Sequence, residues 1–358
     1  MITVLYTASN AYLPYLGISL VSLLCNNQRE KVRTYIVLLE PSQNNLEKLK
    51  EVEKKYVNCE LHIIDGTPFV EKMKKMRMIQ YRKSYAPNLR LFFGQYIDKD
   101  VDRLLYLDCD TIVMDSLTEL FAMPMERVGG VVLDSLGSEY KHCLGYADEE
   151  PYFNAGVLLI NVRKWNEMHY TEKLFDMMAN RKYVHANLDQ DYMNQLLHNE
   201  IQILGPQYNL QPHHMCLKND VYFSGFNRKG YYTEQQINCA VNHPVIIHAY
   251  RFCGNFTWHE GNIHPALDYY RKYKQLSPWC DMPDETGNNG FLFRAEAFCW
   301  QHMPQKLYFT LWSTMQKVYF KQHDKKIRKK ANEILKEDSL SDPNRDSDPV
   351  LRTAEPRT

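Results

Sequence analysis

No Gly-x-Gly-x-x-Gly, no Cys-x-x-Cys and no run approaching the ~20 apolar residues of a membrane span occurs among these 358 residues. Each absence removes a class of protein. Without a Gly-rich turn after the first strand, a dinucleotide has no phosphate cradle. Nine scattered cysteines, an odd number, suggest neither a disulfide framework nor a zinc site, and they fit the cytosol. The start Met1-Ile2-Thr3-Val4-Leu5-Tyr6 reads at once as a strand, without the basic and apolar regions of a signal peptide, so a cytoplasmic location is expected. Charge of one sign is missing too. Lys+Arg 43 balance Asp+Glu 43, which argues against a nucleic-acid partner held on a broad basic face.

What is present points elsewhere. The length permits one large domain or two moderate ones with ample core. Aromatics make up 13%, with Tyr 25, and rings in clefts suit the apolar faces of sugars and the flat faces of bases. No internal repeat is apparent.

The spacing of apolar residues predicts a strand over Thr3 to Ala8, with Asn10 as a helix cap and a helix from Tyr12 to Leu24 that tolerates Pro14 in its first turn. A strand over Thr34 to Glu40, a helix opened by Pro41-Ser42 and running to about Tyr56, and a strand over Cys59 to Asp65 follow. This β-α-β-α-β order predicts a parallel sheet with right-handed crossovers, of Rossmann type. Lys72 to Lys83 is basic and reads as a solvated face or loop, and Asn88 to Tyr96 reads as helical. Further strands are expected at Val128 to Leu133, Tyr152 to Asn161 and Pro244 to Tyr250, with helices from Trp165 to Asn180, from Leu188 and from His264 to Leu276. Pro278 to Gly290 is rich in turn formers and reads as a linker. Beyond it, Lys317 to Lys336 reads as a basic helix and the acidic tail after Asp338 as disordered.

The stretch that organises the chain is Arg103-Leu104-Leu105-Tyr106-Leu107-Asp108-Cys109-Asp110-Thr111, a short apolar run that ends on two carboxylates one residue apart. The run reads as a buried strand. Residues i and i+2 of a strand share a face, roughly 6.5 to 7 Å apart. Asp108 and Asp110 can then address one hard cation, or one cation and one ligand hydroxyl, at the carboxyl edge of the sheet. Taken alone, Asp-x-Asp serves equally as a solvated turn. His248, alone on an apolar strand, reads more readily as a core histidine than as a ligand, and Asp189 and Asp191 read as charge stabilisation of a helix N-terminus.

Four motifs in order change that balance: Tyr106-Leu107-Asp108-Cys109-Asp110; Tyr152-Phe153-Asn154-Ala155-Gly156-Val157-Leu158-Leu159-Ile160-Asn161 with Trp165; Asp189-Gln190-Asp191 with Asn194; and His248 with Gly254 and Trp258. Over residues 1 to 275 the chain resembles the family 8 retaining glycosyltransferases, which include bacterial lipopolysaccharide galactosyl- and glucosyltransferases and glycogenin. The resemblance implies an α/β GT-A fold: a Rossmann-like, mostly parallel sheet with flanking helices. It leaves residues 276–336 as a C-terminal helical, basic extension and 337–358 as a disordered tail.

The resemblance also implies the activity, a metal-dependent transfer of galactose or glucose from a UDP-sugar to a glycan or lipid-linked glycan. It makes Asp108, Asp110 and His248 the ligands of Mn²⁺, with Mg²⁺ as the alternative ion. Arg90, Asp108, Asn154, Ala155, Asp189 and Gln190 would hold the donor sugar, with Gln190 nearest the reacting carbon and Asp189 beside it as the second catalytic candidate. Thr7, Ala8, Ser9, Tyr12 and Gly254 would line the nucleotide, Tyr12 stacking on the base, and Asp134 would face the acceptor. Two departures stand out: Ser9 occupies a position where relatives often carry an acid that meets uracil, and no Lys follows Gly254, leaving Arg251 as a substitute charge. The basic C-terminal helix implies peripheral contact with the inner face of a membrane. Two other readings compete. A phosphatase of the haloacid-dehalogenase type also ends a strand in Asp-x-Asp-Thr, but on its first strand, whereas three precede it here. A non-catalytic nucleotide-sugar or glycan-binding protein would have no need of Asp189-Gln190 beside a metal site.

Overall fold

The computed structural model describes residues 1–76, 78, 80, 83–135, 141–147, 149–179, 188–225, 231–288 and 290–316, together with 318, 319, 322, 325 and 329. The expected tail lies outside the described residues, as do most of the expected basic helix 317–336 and part of the basic stretch 72–83.

Seven strands build the central sheet: β1 (Ile2–Ser9), β2 (Val32–Leu39), β3 (Cys59–Asp65), β4 (Arg103–Leu107), β6 (Gly129–Leu133), β7 (Phe153–Asn161) and β8 (Ile201–Ile203). Their order is β3-β2-β1-β4-β7-β6-β8. The first four are mutually parallel, β7 runs antiparallel to both of its neighbours, and β6 and β8 are parallel again. β1 is buried along Ile2 to Ala8 and β7 along Phe153 to Ile160, as strands covered on two faces are. β3, at the edge, is only partly covered.

The chain winds outward from β1 through β2 and β3, then returns to place β4 on the other side of β1. The crevice at the carboxyl ends of β1 and β4 is therefore the switch point, where open α/β sheets bind ligands. Helix Leu13–Asn26 lies buried from Leu13 to Leu24, enclosed between the sheet and helix Leu267–Leu276. It follows a short 3-10 turn, Asn10–Tyr12. Asn10 does not cap it: its Oδ1 accepts from Ser42 N at 2.8 Å and Asn45 Nδ2 at 2.9 Å, tying the two first loops together. Helix Gln43–Lys55 is capped by Ser42, as the sequence indicates.

Three other stretches differ from the expectation. The helix expected from Trp165 to Asn180 is two, Val162–Glu167 and Tyr170–Ala179, separated at His169 with φ 56°. The strand expected over Pro244 to Tyr250 shortens to β9 (Ile246–His248), which pairs antiparallel with β5 (Thr111–Val113) in a separate ribbon. The expected linker is packed down: Trp279 is 2% exposed and its ring occupies the space beside Gly17. Its Nε1 donates to Asn45 Oδ1 at 3.0 Å, and Lys274 pairs with Asp284 at 2.6 Å. Helix Phe291–His302 and a helical stretch over 305–316 follow, with Tyr308, Phe309 and Trp312 joining Leu217, Val221 and Tyr222 in a small second core. Among the described residues, no helix is long and apolar enough to cross a membrane.

Candidate active site

β4 ends at Leu107, and the two acids sit in the turn that follows rather than on a strand face. Asp108 N still bonds Gly156 O at 2.8 Å, while Thr111 closes the turn by donating from N at 3.2 Å and from Oγ1 at 2.8 Å to Asp108 O. The chain then leaves as β5. In the β5/β9 register Thr111 stands opposite His248, and Ala249 N donates to Asp110 O at 2.8 Å. That pairing delivers the imidazole to the acids. Nε2 of His248 lies 3.1 Å from Asp110 Oδ1 and 3.7 Å from Asp108 Oδ2. One ligand atom from each of Asp108, Asp110 and His248 falls within 4.8 Å of the others.

This donor set fits a divalent cation of the Mg²⁺ or Mn²⁺ kind, which favours carboxylates with or without one imidazole. The other ring nitrogen of His248, Nδ1, lies 3.0 Å from Asn154 Oδ1 and 3.1 Å from Asn209 Oδ1, both acceptors. Nδ1 therefore carries a proton, which leaves Nε2 as the nitrogen directed at the carboxylates and the one that would meet a cation, as in metal-ligating histidines. Burial opposes protonation of the ring, and the charges of Asp110 and Asp108 outweigh it, raising its pKa above the ordinary value. Gly156 is required by close approach: a Cβ there would stand 2.0 Å from His248 Cε1 and 2.7 Å from Asp108 Oδ2.

Arg90, 6% exposed, lies in the 3-10 helix Ala86–Gln95 and joins the acids of the site. Its Nη2 donates to Asp108 Oδ1 at 2.9 Å, its Nε pairs with Asp189 and its Nη1 donates to Ala155 O. The guanidinium lies over the Tyr106 ring at 4.0 Å, and Tyr106 OH donates to Asp108 Oδ1 at 2.7 Å. Burial pushes the Asp189 carboxyl up to about 7 while Arg90 pulls it back. Burial likewise works against the Arg90 charge, and the carboxylates of Asp108 and Asp189 more than offset it.

Gln190 and Asp189 open helix Leu188–Leu197. Asn194, one turn on, fastens this helix to β7: its Oδ1 accepts from Phe153 N at 2.8 Å and its Nδ2 donates to Phe153 O at 2.9 Å. Gln190 thereby reaches the mouth of β7, where its Oε1 accepts from Ala155 N at 3.0 Å and its Nε2 donates to Asp134 Oδ2 at 3.3 Å. Asp134 Oδ2 also accepts from Asn154 Nδ2 at 3.1 Å. The structure thus gathers Arg90, Asp108, Asp110, Asp134, Asn154, Ala155, Asp189, Gln190 and His248 in one connected polar network.

Of the residues expected to line a nucleotide, Thr7, Ala8, Ser9 and Tyr12 sit at the carboxyl end of β1, and Gly254 lies in the loop after β9. Thr7 and Ala8 are buried at the end of β1, with Thr7 Oγ1 3.3 Å from Tyr106 OH, and Ser9 ends the strand. Tyr12 meets Trp258 and Tyr15 edge-on, and Trp258 is itself stacked between Tyr15 at 3.8 Å and Phe256 at 4.3 Å. Gly254 has φ 76°, and the ring of Phe293, from the first extension helix, fills the space a Cβ would need. Arg251 stacks on Phe256, 5.1 Å from its centroid.

Asn209 was not legible in the sequence. It ends a 3-10 turn, Pro206–Asn209, and donates from Nδ2 to Asn154 Oδ1 at 3.0 Å while facing His248. Gln211, likewise unmarked, accepts from Ser135 N at 2.7 Å beside Asp134.

The model of glycosyl transferase family 8 matches residues 3–261. A lipopolysaccharide 1,2-glucosyltransferase of Escherichia coli is 30% identical over 279 residues, which span 75% of this chain and 76% of that protein. General stress protein A of Bacillus subtilis (strain 168) is 26% identical over 282 residues, 76% of this chain and 92% of the relative. Among solved structures, the galactosyltransferase LgtC in complex with donor and acceptor sugar analogues aligns with a TM-score of 0.62 at 23% identity, over 77% of this chain and 96% of its own. The last likeness is one of fold.

Proposed function

The chain belongs to glycosyl transferase family 8, and we propose that it moves a hexose, galactose or glucose, from a UDP-sugar to a glycan or lipid-linked glycan with retention of configuration. Membership sets aside the phosphatase reading. The observation that carries the proposal is the convergence of Asp108, Asp110 and His248 within 4.8 Å, beside Asp189 and Gln190. The naming of the Escherichia coli relative as a lipopolysaccharide 1,2-glucosyltransferase supports a lipid-linked acceptor.

Asp108, Asp110 and His248 would hold Mn²⁺, or Mg²⁺ in its place. When bound, the cation would supply positive charge for the diphosphate that departs. The protein's own groups do the rest. Thr7, Ala8, Ser9, Tyr12 and Gly254 receive the nucleotide. Arg90, Asn154, Ala155 and Asp189 receive the sugar, and Arg90 keeps the acids at fixed separation. Asp134 faces the acceptor. The anomeric C–O bond to the diphosphate breaks as the acceptor oxygen bonds the same face of that carbon, and the acceptor's proton passes to the departing phosphate. Gln190 lies beneath the carbon and stabilises its positive character. A front-face course of this kind suits the buried, Arg90-paired Asp189 better than a two-step course with that carboxylate as nucleophile.

The extension gives a surface for peripheral membrane contact. Phe291, Leu292 and Phe298 are 79%, 78% and 60% exposed, Leu307, Leu311 and Met315 are exposed beyond them, and the sequence that follows is basic. Lys and Arg near an anionic bilayer contribute roughly 1 kcal/mol each.

Incubation with UDP-galactose or UDP-glucose and Mn²⁺, with water taking the sugar in place of the glycan, tests the activity. Release of UDP is expected from wild type and not from Asp110→Ala. Equal release from both would remove the metal cluster from the reaction.

A further inference from the structure

We propose that Tyr152, held by Asp191, is a positioning residue that fixes the orientation of the Gln190 side-chain amide. Tyr152 OH donates to Asp191 Oδ1 at 2.8 Å and accepts from Gln190 Nε2 at 3.0 Å. The other amide hydrogen of Gln190 goes to Asp134 Oδ2, and Oε1 accepts from Ala155 N. The amide is thus held at both ends, and only one of its two orientations satisfies the contacts. Turned over, Oε1 would face a hydroxyl oxygen and a carboxylate, and Nε2 would face a backbone N–H.

The hydroxyl alone would not enforce this. A tyrosine O–H rotates, and it could donate to a turned amide as readily as accept from a correct one. Asp191 removes that freedom by accepting the Tyr152 hydrogen bond, which leaves a lone pair of the hydroxyl oxygen pointed at Nε2. Tyr152 is 1% exposed and Asp191 0%, so water does not compete for either group. Asn194 fixes the geometry further, because it fastens the helix carrying Asp191 and Gln190 to the strand that follows Tyr152. Asp191 therefore acts through Tyr152 and not only as helix N-terminal charge. Fixing the amide keeps the second lone pair of Oε1 in one direction, which matters for a group that stabilises positive charge on a nearby carbon.

This rests on the reading of Gln190 as that group, and the experiment separates the two. Steady-state release of UDP from UDP-galactose and UDP-glucose in Mn²⁺ is compared for wild type, Tyr152→Phe, Asp191→Asn, Gln190→Ala and the double variant Tyr152→Phe/Gln190→Ala. Tyr152→Phe, which removes the hydroxyl's bond to Gln190 along with its bond to Asp191, is expected to lower kcat about tenfold, the effect of the lost bond to Gln190, with donor KM within about twofold of wild type. Asp191→Asn retains an acceptor and is expected to lose less. In the Gln190→Ala background Tyr152→Phe should cost nothing more, since a residue that acts through Gln190 has nothing left to orient. Wild-type kcat in Tyr152→Phe beside an impaired Gln190→Ala overturns the positioning role alone. Losses that multiply in the double variant overturn it as well, by showing a general structural effect. Wild-type kcat in Gln190→Ala overturns the reading of Gln190 and this proposal together.

Discussion

Asn154 Oδ1 lies 3.0 Å from His248 Nδ1 and also accepts from Gly156 N and Asn209 Nδ2, so this amide oxygen, together with Asn209 Oδ1, holds a proton on Nδ1 of the imidazole. Outer-shell partners of this kind typically control metal affinity by 10- to 100-fold. Asn154→Ala is expected to weaken Mn²⁺ binding by about that factor, read by titrating Mn²⁺ against thermal stability. Unchanged affinity would mean that Asn209 suffices.

Gly156→Ala should be more severe. Its Cβ would overlap His248 Cε1 at 2.0 Å, and the imidazole it meets is buried and held through Nδ1 by Asn154 and Asn209. Overpacking of this kind costs about 1 to 3 kcal/mol. A lower melting temperature, together with loss of Mn²⁺-dependent stabilisation, is the expected outcome. Wild-type melting would show that the ring moves freely.

Gly17→Ala sets two effects against each other. Alanine in mid-helix gains about 1 kcal/mol over glycine. Against this, the new Cβ would meet Trp279 Cζ3 at 2.1 Å and drive the indole from its bond with Asn45. The steric cost wins, and chemical denaturation should show net destabilisation of up to about 2 kcal/mol. Net stabilisation would mean that residues 278–288 are held loosely.

His264 offers a pH signature. Burial lowers its pKa to about 4, with the Tyr250 carbonyl and the Asp110 charge opposing and His248 assisting. In the unfolded chain it would titrate near 6.5. The unfolded state therefore takes up a proton first, and stability present above pH 6.5 is lost as pH falls towards 4. Between pH 7 and pH 5, wild type should lose about 2 kcal/mol more than His264→Gln in denaturant titrations. Parallel losses would contradict the burial of a neutral ring.

What could be read from the sequence followed from local rules. The β1 and β4 strands announce themselves as short apolar runs, Ser42 as a cap, and Asp189-Gln190 as a motif at a helix start. Three features could not be read that way. Asn209 acquires its role only because Leu210 bridges to Ile247 and so draws the 3-10 turn against β9, a pairing between residues far apart in the chain. At Asp108–Thr111 a strand face and a solvated turn are equal readings of the sequence, because the apolar pattern resumes at Ile112 and nothing local shows that this second strand pairs with β9. Residues 278–288 have the composition of a linker, yet Trp279, packed beside Gly17, and Glu285, which accepts from Tyr15 OH, fasten them to the first helix.

The central claim, a nucleotide-sugar site completed by a cation on Asp108, Asp110 and His248, is tested most directly by thermal unfolding. Wild type and Asp110→Ala are each melted with UDP, UDP-galactose or UDP-glucose, with and without Mn²⁺. A ligand at ~100 times its dissociation constant stabilises by about 2.7 kcal/mol. The expected result is a shift of that order in wild type that needs Mn²⁺ and is absent from Asp110→Ala. No shift with any of the three nucleotides, or the same shift in both proteins, would contradict it.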